Sequence, residues 1–513
     1  FLKILIKGFK KAVTELKLLY ITSFIVAIIV LIPISNFLIE GFNLILSGNF
    51  SLGLSGSEEI LGTVKLLFFT SLFGGGLGTL NAWLLSNCEF RFRKFLRICQ
   101  LIPLAIPAYL ITIVLQDLGS IFGYQITGMW WGVLILTIST YPYVFILANE
   151  SFNKFGVNQI NASRGLGVGP WVSFFKIALP MALPALITGV SLMCMEVMNE
   201  FGTVRRLNIS CISTGIFENW EFEGNLKSAT GLSLIALLIV FSLIIFEKFS
   251  RRKTKRWSDN PASLDSQGWV LKKHRAFFAI IVTLFPPTFA IGIPCFWVLL
   301  NFDQLNKGLT TELLSLSLKT ISLGLITSLI AVIFSLILSL ANRKNKNLFL
   351  KLITYPAGIG YAIPGSVLAI TLVAIYSSRF TIISVCLLIW GYVIRFLTIS
   401  KGSIDSALER ISPTLDEAAN GLGSNWFDII RRIHLPLLKG PIFVGSLLVF
   451  VDTIKELPIS FIYRPFNFDT LSVRIYQYAG DERIAEAILP VLIIIILGLI
   501  ASSTLIPSLE KKS

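Results

Sequence analysis

Glu196 and Glu200 stand four residues apart at the end of one apolar run, and Asp452 and Glu456 stand four apart at the end of another, 256 residues further on. On a helix such an i, i+4 pair presents both carboxylates from one face. Ionisable groups in apolar spans are costly, so they face a pathway or a partner. Four carboxylates suit a hard, highly charged cation, held weakly or in stages so that it can move on. The structural alternative is that the acids pair with Lys455, Arg205 or Arg206 and finish their helices at the membrane interface. No permanent metal site is expected. The cysteines (Cys88, Cys99, Cys194, Cys211, Cys295, Cys386) lack a CxxC pair, and the histidines are only His274 and His434. Nor is there a clustered catalytic set, so no catalytic residue is expected.

The elements that must hold these acids follow from composition. Of 513 residues, 54% are hydrophobic and 14% charged, more apolar surface than a soluble core could hide, so lipid is the solvent for much of the chain. About 20 apolar residues span the hydrocarbon layer as a helix. Lipid-exposed strands would leave backbone groups unpaired, and the period-2 alternation of a barrel is absent. The expectation is an all-α integral membrane protein with about twelve transmembrane helices, at 18–39, 63–86, 99–116, 129–148, 179–200, 229–247, 276–300, 319–341, 353–376, 381–400, 438–458 and 487–507. The first run lacks a small-residue cleavage site after it and is expected to be retained as a span.

A net charge of +15 raises the question of a nucleic-acid partner, but the basic residues lie in short clusters between spans, and none is expected. Lysine and arginine concentrate in cytoplasmic loops. Lys3, Lys7, Lys10, Lys11 and Lys17, then Arg91, Arg93, Lys94 and Arg97, then 251–256, then Arg343, Lys344, Lys346 and Lys351 all fall on one side. This predicts cytoplasmic amino and carboxyl termini. The loops at 201–228 and 459–486 on the other side are longer and suit docking. Gly74-Gly75-Gly76 is expected to allow close helix packing, and Trp130-Trp131 to anchor at the interface.

The chain contains its own copy. Thr63-Val64 matches Thr320-Ile321, Thr70-Ser71-Leu72 matches Thr327-Ser328-Leu329, and Ala105-Ile106-Pro107 matches Ala362-Ile363-Pro364, all at an offset of 257. Gly165-Leu166-Gly167 matches Gly421-Leu422-Gly423, and Ile177-Ala178-Leu179-Pro180 matches Ile433-His434-Leu435-Pro436, at 256. The expected organisation is a first half at 1–250, a basic cytoplasmic linker at 251–275 and a second half at 276–513. An even number of spans per half makes the copies parallel six-helix repeats.

The second copy reads Glu417-Ala418-Ala419, three residues, Gly423, nine residues, Ile433, one residue, Leu435-Pro436. This resembles, at every specified position, the EAA motif of binding-protein-dependent ABC importer permeases. The resemblance implies the type I ABC importer permease fold, in which a short helix ended by glycine is the coupling knob that fits a separate ATPase subunit. The first copy, 161–180, has Asn161-Ala162-Ser163 in place of Glu-Ala-Ala but keeps Gly167, Ile177, Leu179 and Pro180. Two motifs imply two copies of an ABC ATPase subunit. The chain has no GxxxxGK[ST] loop, so it is expected to bind no cofactor, with ATP used by the partner. Residues 455–487, with their ELP, RPFNFDTL and DER elements, and Glu200-Phe201-Gly202-Thr203-Val204 in the first half are similar to the ferric-iron type of permease. That similarity implies import of ferric iron from an extracytoplasmic binding protein across a bacterial cytoplasmic (inner) membrane. Permeases for thiamine, sulfate or another small solute share the general motif. An ion-gradient-driven carrier with two six-span halves would have no use for an ATPase-docking knob.

Overall fold

The computed structural model describes residues 2–154, 162–163, 165–254, 269–309, 311–344, 350, 354–358, 360–375 and 381–510. Asn161, most of the linker, Lys346 and Lys351 lie outside the described residues. In chain order the helices used below are α1 (Leu2–Leu46), α2 (Gly56–Asn87), α3 (Arg93–Cys99), α4 (Ile102–Ala105), α5 (Ala108–Ile121), α6 (Met129–Lys154), α7 (Leu179–Asn199), α8 (Gly202–Arg206), α9 (Ile212–Glu221) and α10 (Leu226–Thr254). The later ones are α11 (His274–Pro287), α12 (Ile293–Leu300), α13 (Thr311–Lys344), α14 (Gly365–Ile375), α15 (Thr381–Leu408), α16 (Pro413–Gly421), α17 (Leu435–Ile454), α18 (Pro458–Tyr463), α19 (Leu471–Gly480) and α20 (Ile484–Glu510). Helices dominate because each closes its backbone hydrogen bonds within one segment, as lipid requires. A two-residue parallel pairing of Cys88–Glu89 with Trp269–Val270 is the only sheet among the described residues.

Ten helices among the described residues are long and apolar enough to cross a membrane, and a bent pair makes eleven. The two expected spans that differ are equivalent in the repeat. At 99–116 the chain turns by 86° between Arg93–Ala105 and Ala108–Ile121. At 353–376 two short 3-10 turns precede α14, which has only 11 residues. Both interruptions fall at the repeated Ala-Ile-Pro. Proline disfavours the helical conformation in the residue before it, and Ile106 is extended at φ −110°, ψ 117°.

Two compact units form. One holds α1 and α13 to α18, the other α2 to α12 and α20, and the boundary falls within α19. Neither unit coincides with a half of the sequence. The leading helix of each half is exchanged: α1 packs on α13 and α14, while α11 packs on α2, α3 and α4, and α12 on α5. Small residues set the close approaches within each unit. A Cβ at Gly74 would lie 2.7 Å from Met193 Sδ, and one at Gly78 would lie 2.9 Å from the Tyr141 carbonyl. In the other unit a Cβ at Gly324 would lie 2.8 Å from the Phe450 ring. Gly74 thus serves the expected packing, whereas Gly76 has open space beside it. Leu72 and Leu329, equivalent in the repeat, are both exposed, as suits side chains that face hydrocarbon.

Candidate coupling and acid sites

The coupling-motif helix α16 starts at Ser412, whose hydroxyl accepts the Thr414 N–H, and Pro413 follows at the first turn, where its missing N–H costs nothing. It ends in a left-handed cap. Gly423 has φ +83°, and the Ser424 N–H bonds the Ala419 carbonyl at 3.0 Å, the 6→1 bond of a Schellman turn. No residue of α16 is buried, and Glu417, Ala418, Leu422 and Gly423 are all exposed. Here the helix forms a knob with a bare apolar tip, Leu422 being 88% exposed.

The first copy keeps this geometry despite its different residues. Gly167 has φ +75°, the Val168 N–H bonds the Ser163 carbonyl at 3.0 Å, and Leu166 is exposed. Each motif then passes through a π-helical turn, Phe174–Ala178 or Ile430–His434, which contains Ile177 or Ile433. Leu179-Pro180 and Leu435-Pro436 follow as the first residues of α7 and α17. A proline inside a continuous helix removes one i→i−4 bond, and the widened turn accommodates the loss.

Three side chains that the motif does not specify hold the second knob. Arg343, at the end of α13, donates from Nε to Asp416 Oδ2 at 2.8 Å and from its other nitrogens to the carbonyls of Leu408 and Ile411 at 2.7 and 3.1 Å. It thereby joins α16 to the carbonyl end of α15. The fully buried His434 places Nε2 3.1 Å from Asp416 Oδ1 and its ring 5.5 Å from that of Trp426. Arg343 was expected only as a topological charge. Its counterpart in the first half at the 257 offset is Ser86, and that of His434 at the 256 offset is Ala178, so the clamp belongs to the second copy.

The four acids divide by environment. Glu196 is half-buried in α7 and accepts from the Tyr143 hydroxyl at 3.0 Å. Asp452, half-buried in α17, pairs with Lys455 at 2.7 Å. Glu200 and Glu456 sit just past the ends of α7 and α17 and cap the next helix. Glu200 Oε1 accepts the Thr203 N–H at 3.0 Å, and Glu456 Oε1 accepts the Ile459 N–H at 2.9 Å. Glu456 is fully buried and also pairs with Arg395 at 2.9 Å, with side chains 2% and 7% exposed. At Gly365 the start of α14 presses on this pair, since a Cβ there would lie 2.3 Å from Arg395 Nη1.

A repeated frame holds both capping acids. The Ser213 hydroxyl donates to the Glu200 carbonyl at 2.9 Å, and the Ser472 hydroxyl to the Glu456 carbonyl at 2.7 Å. Thr63 accepts the Ile212 N–H at 2.8 Å, and Thr320 accepts the Leu471 N–H at 2.9 Å. These threonines align in the repeat, but the sequence carries no hint of which N–H they meet. Near Glu200, the Arg205 guanidinium lies 4.1 Å from the centre of the Phe217 ring, a cation–π contact. Arg206 donates to Gln116 Oε1 at 2.9 Å and to the Ala479 carbonyl at 3.0 Å. Burial pushes the Tyr476 hydroxyl up to about 12, while Arg205 and Arg206 pull it down.

Arg93 and Arg97, expected as cytoplasmic loop charges, turn back onto α2. They donate to the carbonyls of Leu85 and Ser86 at its end, a basic cap on the negative pole of the helix.

A family model described as binding-protein-dependent transport system inner membrane component matches the chain twice, at residues 74–255 and 331–512. The chain is similar to the Fe(3+)-transport system permease protein of Haemophilus influenzae, 24% identical over 84% of this chain and 86% of that protein. It is also similar to two Escherichia coli proteins. The sulfate transport system permease protein is 29% identical over 37% of this chain and 76% of its own length. The molybdenum transport system permease protein is 28% identical over 39% of this chain and 95% of its own length.

Proposed function

The chain belongs to the family of binding-protein-dependent transport system inner membrane components, present twice in one polypeptide, and on that premise we propose that it imports ferric iron. The observation that carries the substrate is the relative named for Fe(3+) transport, which pairs with this chain over both halves, whereas the sulfate and molybdenum permeases pair with little more than a third of it. In this proposal the halves are 1–250 and 276–513, joined by a basic linker at 251–275 on the cytoplasmic side, with both termini cytoplasmic in a bacterial inner membrane. Two copies of an ATPase subunit bind the knobs at 161–180 and 417–436 and use the ATP, and an extracytoplasmic binding protein delivers the iron.

The four acids enter with unequal roles. Glu196 and Asp452 contact the passing ion in stages. Glu200 and Glu456 hold the turns beside them, because their carboxylates already cap α8 and α18. Uptake of labelled ferric iron, sulfate and thiamine in cells with and without the gene tests the substrate. Iron uptake should fall by more than tenfold in the deletion strain while the other two stay level. Loss of sulfate uptake with iron unchanged would transfer the proposal to an oxyanion.

A further inference from the structure

Each leading helix carries a proline that frees a backbone carbonyl deep in its length. In α1, Pro33 has no N–H to return to Ile29, four residues earlier. In α11, Thr283 is deprived twice, because the residues three and four positions on are Pro286 and Pro287. A carbonyl without its helical partner in an apolar interior costs free energy unless another donor reaches it.

Both carbonyls receive a side-chain N–H from the other half. Trp390 Nε1, from α15, donates to the Ile29 carbonyl at 2.9 Å. Gln100 Nε2, just past α3, donates to the Thr283 carbonyl at 2.7 Å. Gln100 is fully buried and is oriented by Asn81 and the Tyr141 hydroxyl, which both donate to its Oε1 at 2.9 Å. Its Nε2 also donates to the Leu96 carbonyl at 3.1 Å, so the amide is fixed within the first half by three contacts and its other N–H meets α11. The two donors differ in type and are not equivalent in the repeat, yet they meet the same need on equivalent helices.

We propose that these two contacts are latches by which the halves recognise and hold each other: each half offers a proline-freed carbonyl on its leading helix and a matching donor for the other. The partner that each exchanged face fits is the other half of this chain. The linker is then dispensable once the protein has assembled.

The test uses the full chain with a protease site placed in the linker and an affinity tag on the first half, cut after purification in detergent. The second half should stay bound to the tagged half. Trp390→Phe together with Gln100→Leu should lower the retained fraction about tenfold on mild warming, because two proline-freed carbonyls, one of them buried, lose their donors. Pro33→Ala and Pro287→Ala, which return a backbone N–H to each carbonyl, should restore retention in that background. If the donor substitutions cost the same with proline or alanine, Trp390 and Gln100 only pack, and the latch is overturned. Separation of the unsubstituted halves on cutting would overturn it as well.

Discussion

Glu200 and Glu456 hold equivalent turns, and Glu456 is paired with the buried guanidinium of Arg395. Removing one member of a buried ion pair leaves the other uncompensated, which costs about 3–5 kcal/mol. Glu456→Gln should therefore lower membrane abundance and thermal stability sharply, and Arg395→Met in the same chain should restore much of both. Failure of that rescue in a thermal unfolding assay would show that the carboxylate matters beyond the pair. Asp452 and Lys455 are partly exposed, and a pair of that kind contributes roughly 0.2–1 kcal/mol. Glu196→Gln with Asp452→Asn should accordingly leave abundance and binding-protein-stimulated ATP hydrolysis near normal while iron uptake falls several-fold. Normal uptake in that variant would remove both acids from the pathway. The sequence shows the i, i+4 spacing and the repeat, and so finds the acids. It cannot show Arg395, 61 residues from Glu456, because a pairing across helices leaves no periodic trace. The Thr63 and Thr320 contacts are half legible: alignment marks the residues, and only the fold supplies their partners.

Coupling belongs to the scale of the element, where backbone and side chain can be separated. Gly167 and Gly423 share a positive φ and open space around the missing Cβ, so a side chain at either meets backbone strain of about 1–2 kcal/mol rather than a clash. Valine at either position should lower thermal stability by similar amounts. Capture of the purified ATPase should fall more at Gly423, since Glu417 and the Arg343 clamp exist only there. Equal losses of capture would mean that the shared cap, not the motif's side chains, governs docking. Arg343→Met tests the clamp itself: it should weaken ATPase capture several-fold while the protein remains assembled, because α16 keeps its own caps and loses only its tie to α15. Unchanged capture would confine Arg343 to stability. Helix existence was legible from apolar windows, and the motif's glycine foretold its turn. The broken spans were not, because the hydropathy of 99–116 and 353–376 runs on through Pro107 and Pro364 while the backbone does not.

At the scale of the whole chain, the repeat was legible from glycine and proline falling into register, but the exchange of leading helices was not. Hydropathy identifies α1 and α11 as spans and says nothing of which neighbours receive them; that choice rests on side chains such as Trp390 and Gln100, which look like ordinary packing residues in a sequence. The doubled architecture also bears on the motor. The first motif departs from the pattern in its side chains, yet it reproduces the second in its 6→1 bond, positive-φ glycine, exposed leucine, π turn and Leu-Pro helix start. If docking depends on that shared shape, one chain should take up two ATPase subunits despite the unequal sequences. Native mass spectrometry of the complex should give one permease chain to two ATPases at saturation, with the second subunit leaving first as salt or detergent is raised. Glu417→Lys should then narrow the difference between the two sites by weakening the stronger one. A limiting ratio of one to one would mean that the first motif keeps the shape of a knob without its contact, and that the second ATPase position depends on contacts between the ATPases themselves.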